Sequence, residues 1–360
     1  MKKVIVLGAG KIGTSIAKLL AHSGDYQITL GDIDKNALDR LGKQFSVVTK
    51  VINVADSASL ISELKQYDAV VSACSYHLNN GIAEAALHAG ISYFDLTEDV
   101  ATTEFVRKLA AKSKPGQIFM PQCGLAPGFI GILAHSMFHK FERVSKVKMR
   151  VGALPLYPSN MMMYNLTWST DGLINEYCNP CEAIVDGELV KVQALEGLER
   201  FSLDGIDYES FNTSGGLGTL CETLKGKVYS LDYKTVRYQG HCYLMSFLTR
   251  SLKLNRRRAL LKEILEEAVP ITKQDVVLVF CEVDGWREGL FEQEADVRKI
   301  YNLTLFDEHW SSIQITTAAS LCTILDLNYE GKLPATGFVK QEDVNYDDFI
   351  NNRFGRYYQT

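Results

Sequence analysis

The sequence predicts an α/β protein in which a doubly wound parallel sheet is followed by a second α+β domain with a mixed sheet. In residues 1–124, short apolar strands alternate with helical segments, which is typical of a parallel sheet covered on both faces. A glycine-rich turn joins the first strand to the first helix. From residue 146 onward, strands with alternating polar and apolar residues indicate a sheet with one solvated face.

The first half contains six predicted strands, which complete a double winding. The first strand, Val4 to Leu7, leads through the glycine turn into a helical run. The next elements are a strand over Tyr26–Leu30, a helix over Lys35–Lys43, a strand over Val47–Val51, a helix over Ser57–Tyr67, a strand over Asp68–Cys74, a helix over Asn80–Ala89, a strand over Ser92–Asp95, a helix over Ala101–Lys112 and a strand over Gln117–Pro121.

The second half differs in its pattern. After a helix over Phe129–Phe141 come strands over Lys146–Val151, Cys181–Leu189, Lys227–Tyr238 and Asp275–Trp286, with a helix over Arg256–Glu267. The apolar helical run Ser312–Leu325 is expected to pack back on the first domain. We expect a dinucleotide-binding domain over residues 1–124, completed by about 306–345, and a substrate and dimerisation domain over 125–305.

Bulk composition restricts the partners. The chain has 360 residues, 46% of them hydrophobic and 22% charged, with a net charge of -5. About two domains are expected at this length, and the charge provides no field that attracts nucleic acid or an anionic membrane. The eight cysteines are spread along a long chain and no secretory signal precedes them, so we expect a reducing, cytoplasmic setting.

The glycine turn predicts a phosphate-binding loop. Gly8 permits the tight turn, Gly10 lets the main chain approach a pyrophosphate, and Gly13 lets the helix pack close to the strand. Lys11 and Ile12 lie between them at the start of the helix, whose N-terminal amides face the anion. We therefore expect a Rossmann domain that binds a dinucleotide.

Asp32 predicts which dinucleotide is bound. It lies at the end of the second strand, nineteen residues after Gly13, where the ribose diol of the cofactor is expected. A carboxylate hydrogen-bonds the two hydroxyls of NAD and repels the extra phosphate of NADP, so NAD is favoured. Ile33 is the next cofactor-binding candidate, and Asp34 is interpreted as the N-cap of the following helix.

Polar residues follow the fourth, fifth and sixth strands at the carboxyl edge, where such sheets bind ligands. Small residues end the fourth strand where a nicotinamide needs close approach: Ser72, Ala73 and Cys74. The substrate candidates at this edge are Tyr76, Asp95 and Glu98; Asp95 has an alternative interpretation as a cap of loop amides.

Two segments of the second domain are denser in polar and aromatic residues than a plain sheet requires. The first, residues 165–177, contains the candidate substrate ligands Trp168 and Thr170. In the second, residues 234–241, the Arg237 guanidinium can hold a carboxylate bidentately and His241 lies four residues on. This pairing suits an amino acid substrate; the alternative is a structural ion pair beside a buried histidine.

Three other motifs are assigned no function. Cys178 and Cys181 have zinc-site spacing, but no second ligand pair accompanies them, so no metal is predicted. His135 and His139 lie four apart without the glutamate of a metalloprotease helix. The run Arg256–Arg258 is interpreted as a solvated helix start.

These segments resemble the saccharopine dehydrogenase (reductase) superfamily, most closely the L-lysine 6-dehydrogenases. The similarity is most specific over residues 166–177, 235–241 and 124–128. It implies NAD as oxidant, a homodimer, and Asp95, Arg237 and His241 around the substrate. One departure is Ser214-Gly215-Gly216, where members commonly carry an acid.

The sequence thus leads to a functional hypothesis. We expect oxidative deamination of the L-lysine side-chain amine to the 6-semialdehyde, with the carboxylate on Arg237. His241 is the first candidate for the base that deprotonates the amine, and Asp95 is the second. A saccharopine-type reaction, with Arg150 and Lys234 as additional carboxylate ligands, is the alternative in the same class. A non-catalytic NAD-binding sensor or assembly protein is the alternative in another class.

Overall fold

A computed structural model describes residues 1–44 and 47–359. The chain divides into two compact units, one formed by Met1–Phe129 with Thr316–Gln359 and the other by Ile130–Ile315. Each unit contains one large sheet. Across the described ranges, no helix combines the length and the apolar character that crossing a membrane requires.

Strands and helices alternate through the N-terminal part of the first unit, as predicted. The elements are β1 (Lys2–Leu7), α1 (Lys11–Ser23), β2 (Tyr26–Asp32), α2 (Lys35–Gln44), β3 (Val48–Val51), α3 (Ser57–Leu64), β4 (Ala69–Ser72), α4 (Tyr76–Ala89), β5 (Ser92–Asp95), α5 (Val100–Ala110) and β6 (Ile118–Met120). Several ends differ from the predicted ones by one to four residues, the usual uncertainty of helix and strand boundaries.

The remaining elements follow in chain order. They are α6 (Phe129–Phe138), β7 (Arg143–Pro155), α7 (Thr170–Cys178), β8 (Cys181–Val185), β9 (Glu188–Val192), β10 (Glu199–Leu203), β11 (Ile206–Asn212), α8 (Leu220–Leu224), β12 (Ser230–Tyr238), α9 (His241–Ser246), α10 (Arg258–Ala268), β13 (Asp275–Arg287), β14 (Leu290–Tyr301), β15 (Leu303–Leu305), β16 (Glu308–Trp310), α11 (Ser312–Tyr329), β17 (Gly337–Phe338) and α12 (Tyr346–Asn351).

The first sheet is parallel throughout and has the order β17-β6-β5-β4-β1-β2-β3. The predicted doubly wound sheet is confirmed. The strand order reverses between β1 and β4, which places the ligand-binding crevice of this fold at their carboxyl ends. Strand β17 was not predicted, because two residues are too few to show a period of two.

The second sheet is mixed, as the sequence predicts. Its order is β10-β11-β12-β7-β13-β14, with β8 paired to β12 and β9 to β8. Strand β7 is parallel to β12 and antiparallel to β13. The single strand predicted over Cys181–Leu189 is wrong: it is a hairpin of β8 and β9. Asp186 and Gly187 have φ angles of 53° and 81°, and two positive φ angles reverse the chain between such strands.

Helix α11 crosses from one unit into the other along the chain. Within the second unit, the buried Asp275 carboxylate caps it by accepting the amides of Ser312 at 2.5 Å and Ile313 at 3.1 Å. From Thr316 onward the helix belongs to the first unit. There the Cys322 thiol lies 3.9 Å from the carbonyl of Ile16 in α1, so the apolar helix packs on the first unit as predicted.

Candidate active site

The glycine turn after β1 has room for glycine alone at two positions. Gly8 has a φ of +102°, and a Cβ built on it would lie 2.7 Å from the Ala73 carbonyl oxygen. A Cβ on Gly13 would lie 1.9 Å from the Gly8 carbonyl oxygen. The absence of a side chain at both positions lets the start of α1 pack against the ends of β1 and β4, the close packing that the sequence predicts for this turn.

The same turn fits the pyrophosphate of a dinucleotide. Gly10 is the N-cap of α1, no side chain caps the helix there, and a Cβ on Gly10 would meet no atom within 4 Å. An uncapped helix N-terminus beside open space presents backbone N–H groups and the positive end of the helix dipole. Lys11 is exposed and Ile12 is half-buried at the entrance of this helix.

Asp32 ends β2 beside the turn. Its Oδ2 accepts the Ala9 amide at 2.6 Å and its Oδ1 accepts the Asp34 amide at 2.9 Å. A carboxylate has about four lone-pair directions, so two remain for the diol of a ribose. Ile33 is 67% exposed beside it. Asp34 caps α2 through the amides of Asn36 and Ala37, as predicted.

Ser72 ends β4, where a nicotinamide is expected, and starts a buried hydrogen-bond chain. Its hydroxyl donates to Asn79 Oδ1 at 2.7 Å, and Asn79 Nδ2 lies 3.4 Å from Asp95 Oδ2. Ala73 and Cys74 are half-buried after it. Burial raises the pKa of the Cys74 thiol to about 11, so it carries no thiolate at neutral pH.

Asp95 is wholly buried, and each of its carboxylate oxygens already accepts two hydrogen bonds. Oδ1 accepts the amides of Thr97 at 2.8 Å and Gln122 at 3.0 Å, while Oδ2 accepts the Tyr93 hydroxyl at 2.6 Å and the Asn79 amide. Burial raises the pKa of Asp95 to about 6, and these hydrogen bonds oppose the rise. The geometry favours the capping interpretation, in which Asp95 ties β5 to the segment after β6, over that of a base facing a substrate.

Tyr76 and Glu98 occupy the expected edge of the first sheet. Tyr76 is the first residue of α4 after β4, and Glu98 lies in the loop after β5. Both are half-buried, so each keeps an accessible surface at the carboxyl edge.

In the second unit, Arg237 of β12 is a buried cation bonded to neutral groups. Its Nε donates to the Tyr177 hydroxyl oxygen at 2.9 Å and its Nη1 to the Val236 carbonyl at 2.8 Å. The Tyr164 ring lies 5.1 Å from the guanidinium carbon. Arg237 is 2% exposed, and within the described ranges it makes no ion pair.

His241, the first residue of α9, is completely buried beside this cation. Its Nδ1 lies 2.9 Å from the Met162 carbonyl oxygen and its Nε2 lies 3.1 Å from the Tyr177 hydroxyl. Burial, and secondly the charge of Arg237, lower the pKa of His241 to about 3. The structure brings the predicted pair Arg237 and His241 together through Tyr177, and both ring nitrogens are occupied, so neither is presented as a free base.

Several buried polar atoms of the second unit, one of them on Tyr164 beside Arg237, have no hydrogen-bond partner among the described residues. They are Tyr164 Oη, Asn165 Oδ1, Thr167 Oγ1 and Thr213 Oγ1. Unsatisfied buried polar atoms are rare in a folded protein unless a ligand or water pairs with them. Trp168 packs on the apolar cluster that contains Tyr164 and Tyr177, and Thr170 is buried at the start of α7.

Arg150 and Lys234, the additional carboxylate ligands suggested by the sequence, are already neutralised. Arg150 binds Glu199 and Asp232 through Nη2 at 3.0 and 2.9 Å, and Lys234 Nζ lies 2.6 Å from Glu199. The two cations and two acids form a closed network on the sheet. Neither is available to a substrate, because a bound partner carboxylate already takes each cation's donors.

The motifs that were assigned no function show no ligand geometry. The described residues contain no cluster of three or more potential metal ligands. Burial raises the pKa of the Cys181 thiol to about 12, and that of Cys178 is also raised. The Nε2 atoms of His135 and His139 lie 3.1 Å apart, so these two rings contact each other. Gly216 has no room for a side chain, since its Cβ would lie 2.2 Å from the Tyr233 ring.

Comparison with known proteins identifies the class. Residues 4–120 match the Saccharopine dehydrogenase NADP binding domain, and residues 124–354 match the Saccharopine dehydrogenase C-terminal domain. The parallel sheet and the glycine turn of the first unit are those of a dinucleotide-binding domain. The chain belongs to the saccharopine dehydrogenase family.

Individual relatives are distant. The chain is 23% identical over 298 residues to the mitochondrial alpha-aminoadipic semialdehyde synthase of Bos taurus and 24% identical over 298 residues to that of Mus musculus. Each alignment covers 79% of this chain and 31% of the relative, so the chain spans about a third of their length. An apo saccharopine dehydrogenase (L-Glu forming) structure from Saccharomyces cerevisiae has the same fold, with a TM-score of 0.79, 16% identity, and coverage of 97% of this chain and 96% of that one.

Sequence reasoning missed Tyr164 and Tyr177. Tyr177 lies 60 residues from Arg237 in the chain, and no local pattern links them. Tyr177 is the eighth residue of α7 and the last of the polar segment 165–177. This position is not a distinguishing signal either, because tyrosines on buried helix faces are common in cores.

Proposed function

We propose that this protein oxidises a carbon bound to an amine nitrogen in a lysine-related amino acid, with NAD as the oxidant. The observation that carries the proposal is Arg237, a buried guanidinium that hydrogen-bonds neutral acceptors and makes no ion pair within the described ranges. A buried cation of this kind is stabilised by a ligand carboxylate. Family membership supports an amino acid as the bearer of that carboxylate.

The cofactor preference rests on Asp32. Two of its lone pairs stay available to a ribose diol, and a second negative charge at that position would be repelled. When bound, the nicotinamide supplies the hydride acceptor. The residues of the turn after β1 would hold the pyrophosphate, and Ser72, Ala73 and Cys74 would line the position of the nicotinamide ring.

We favour the L-lysine side-chain amine as substrate over saccharopine. The second unit has four buried cationic side chains, and three of them are already paired with acids: Arg150, Lys234 and Arg298. One carboxylate ligand suits lysine, whereas saccharopine carries three carboxylates. The product expected from lysine is the 6-semialdehyde, formed when water displaces the nitrogen from the oxidised carbon.

The saccharopine-type reaction is the second candidate, and the comparisons support it. The fold neighbour is a saccharopine dehydrogenase and the curated relatives are alpha-aminoadipic semialdehyde synthases. In both reactions the amine must be deprotonated, because a protonated nitrogen has no lone pair to assist hydride loss. The sequence hypothesis of His241 or Asp95 as the base requires a change in the hydrogen bonds that now occupy both.

A substrate panel tests the proposal. Purified protein is mixed with NAD or NADP and with L-lysine, saccharopine or 1,5-diaminopentane, and reduced cofactor is followed by its absorbance. Turnover of L-lysine with NAD supports the first candidate, and turnover of saccharopine alone supports the second. Tight dinucleotide binding without turnover of any amine would contradict both and favour the non-catalytic sensor. A homodimer, implied by the resemblance, is a further proposal that sedimentation would test.

A further inference from the structure

Directional hydrogen bonds run from Arg237 through Tyr177 to His241. The Met162 carbonyl only accepts, so His241 Nδ1 carries the proton and donates to it. His241 Nε2 is then an acceptor in the neutral ring, and the Tyr177 hydroxyl donates to it at 3.1 Å. The hydroxyl oxygen in turn accepts from Arg237 Nε at 2.9 Å. Each proton in this series of hydrogen bonds therefore has one assigned position.

We propose that Tyr177 is a positioning residue that orients the Arg237 guanidinium for the substrate carboxylate, and that His241 acts through Tyr177 as a fixed neutral acceptor. This inference rests on the proposed function, because it assumes that Arg237 binds a carboxylate. It replaces the sequence hypothesis of His241 as the base with a role that its contacts support.

The contacts of the guanidinium show what this orientation achieves. Tyr177 takes Nε–H and the Val236 carbonyl takes one N–H of Nη1. One N–H of Nη1 and both of Nη2 then have no acceptor in the described part of the chain. These two nitrogens form the edge that binds a carboxylate through two parallel hydrogen bonds.

The groups that hydrogen-bond the Arg237 guanidinium are all neutral. Tyrosine, a carbonyl and a neutral imidazole hold Arg237 without an ion pair, and the charge of the buried Glu176 in α7 also acts on it. The imidazole stays neutral because burial and Arg237 both oppose its protonation. Aromatic packing fixes the acceptor ring, since Tyr164 lies 5.0 Å and Tyr177 5.9 Å from the His241 ring centre.

Paired substitutions of His241 separate this role from base catalysis. His241→Gln places an amide oxygen near the Nε2 position and keeps an acceptor for Tyr177, whereas His241→Asn keeps only a polar group near Nδ1. We expect KM for L-lysine to rise about 10- to 100-fold in His241→Asn and in Tyr177→Phe, with kcat changed much less. His241→Gln should restore most of the lost KM.

Two controls make these kinetics specific. 1,5-diaminopentane lacks the carboxylate, so its KM should be unaffected by Tyr177→Phe. Tyr208→Phe removes a hydroxyl from a buried tyrosine that stacks on Tyr238. Because neighbouring residues of a strand point to opposite faces, this pair lies on the other face of the sheet from Arg237, and the change should leave KM for L-lysine unchanged. Loss of kcat in both His241→Gln and His241→Asn, together with loss of the acidic limb of the pH profile, would overturn the inference in favour of a base.

Two readouts do not depend on turnover and so distinguish failure of this inference from failure of the proposed function. Calorimetry with L-norleucine, a lysine analogue without the side-chain amine, should show about tenfold weaker binding to Tyr177→Phe than to wild type or Tyr208→Phe. Equal affinities would overturn the inference. Nitrogen NMR should show His241 neutral with the proton on Nδ1 from pH 8 to pH 5; the opposite tautomer, or protonation in this range, would also overturn it.

Discussion

Arg237 donates its Nε proton to the hydroxyl oxygen of Tyr177, a residue 60 positions away in the chain, across 2.9 Å. The bond joins β12 to α7 and ends in a neutral acceptor, so it orients the cation without neutralising it. A buried guanidinium held in this way is stabilised when a ligand with its own negative charge binds to it, which is the role proposed above for Arg237.

Replacing Arg237 should reveal this ligand by its charge. In Arg237→Met, kcat/KM for L-lysine should fall about 100-fold or more, since a bidentate, charge-assisted contact contributes roughly 3 kcal/mol or more. Steady-state kinetics with L-lysine and 1,5-diaminopentane measure the effect. Arg237→Lys keeps the charge but lacks the two parallel N–H groups that bind a carboxylate, so its kcat/KM for L-lysine should lie between those of wild type and Arg237→Met. Equal losses of kcat/KM for 1,5-diaminopentane and for L-lysine would contradict the proposal that Arg237 binds the substrate carboxylate.

Gly13 and Gly10 form a matched pair in the turn after β1. Gly13→Ala should destabilise the protein by about 3 kcal/mol, because the new Cβ would lie 1.9 Å from the Gly8 carbonyl oxygen. Gly10→Ala meets no atom within 4 Å, so its free energy of unfolding should stay within about 1 kcal/mol of wild type. Its methyl group enters the space assigned to the pyrophosphate, so NAD binding should weaken.

Urea unfolding and calorimetric titration with NAD separate these two effects. The expected pattern is lost stability for Gly13→Ala and lost affinity with retained stability for Gly10→Ala. Unchanged NAD affinity in Gly10→Ala would show that the dinucleotide does not approach this position.

Asp32 should control the choice between the two cofactors. Replacing it by Ser removes the charge that repels the 2'-phosphate and leaves a hydroxyl beside the Ala9 amide. The ratio of kcat/KM with NAD to kcat/KM with NADP should fall about tenfold or more, the effect of roughly 1.4 kcal/mol. Asp34→Ser, which alters only the cap of α2, is the control. An unchanged ratio would remove Asp32 from cofactor selection.

The parts of this molecule that could be predicted from sequence are those encoded within a few neighbouring residues. Gly8, Gly13 and Asp32 follow one another at fixed spacing around a strand and a helix, so their chemistry is visible locally. The doubly wound sheet is predictable for the same reason, because each strand and helix carries its own period.

Contacts between distant segments could not be predicted. Arg150, Lys234 and Arg237 are similar cations in sequence, yet Glu199 and Asp232 neutralise the first two and Tyr177 leaves the third charged. Which acid meets which base depends on strand register, and the sequence does not specify register without a partner strand.

The pH dependence of stability tests the state of Asp95. Burial raises its pKa from 3.8 to about 6, so between about pH 4 and pH 6 the folded protein binds more protons than the unfolded chain. Its contribution to stability is therefore greatest below about pH 4 and falls as the pH rises through this window. Relative to Asp95→Asn, which does not titrate, the wild-type free energy of unfolding should fall by up to about 3 kcal/mol from pH 4 to pH 7.

Tyr93→Phe provides the internal check on that window. The Tyr93 hydroxyl donates to Asp95 Oδ2 at 2.6 Å and lowers the pKa of the carboxyl, so its removal should move the window to higher pH. Urea unfolding of the three proteins at closely spaced pH values gives both the size and the midpoint of the change. A difference between wild type and Asp95→Asn that stays flat from pH 4 to pH 7 would show that Asp95 is ionised throughout, held by its four hydrogen bonds against the cost of burial.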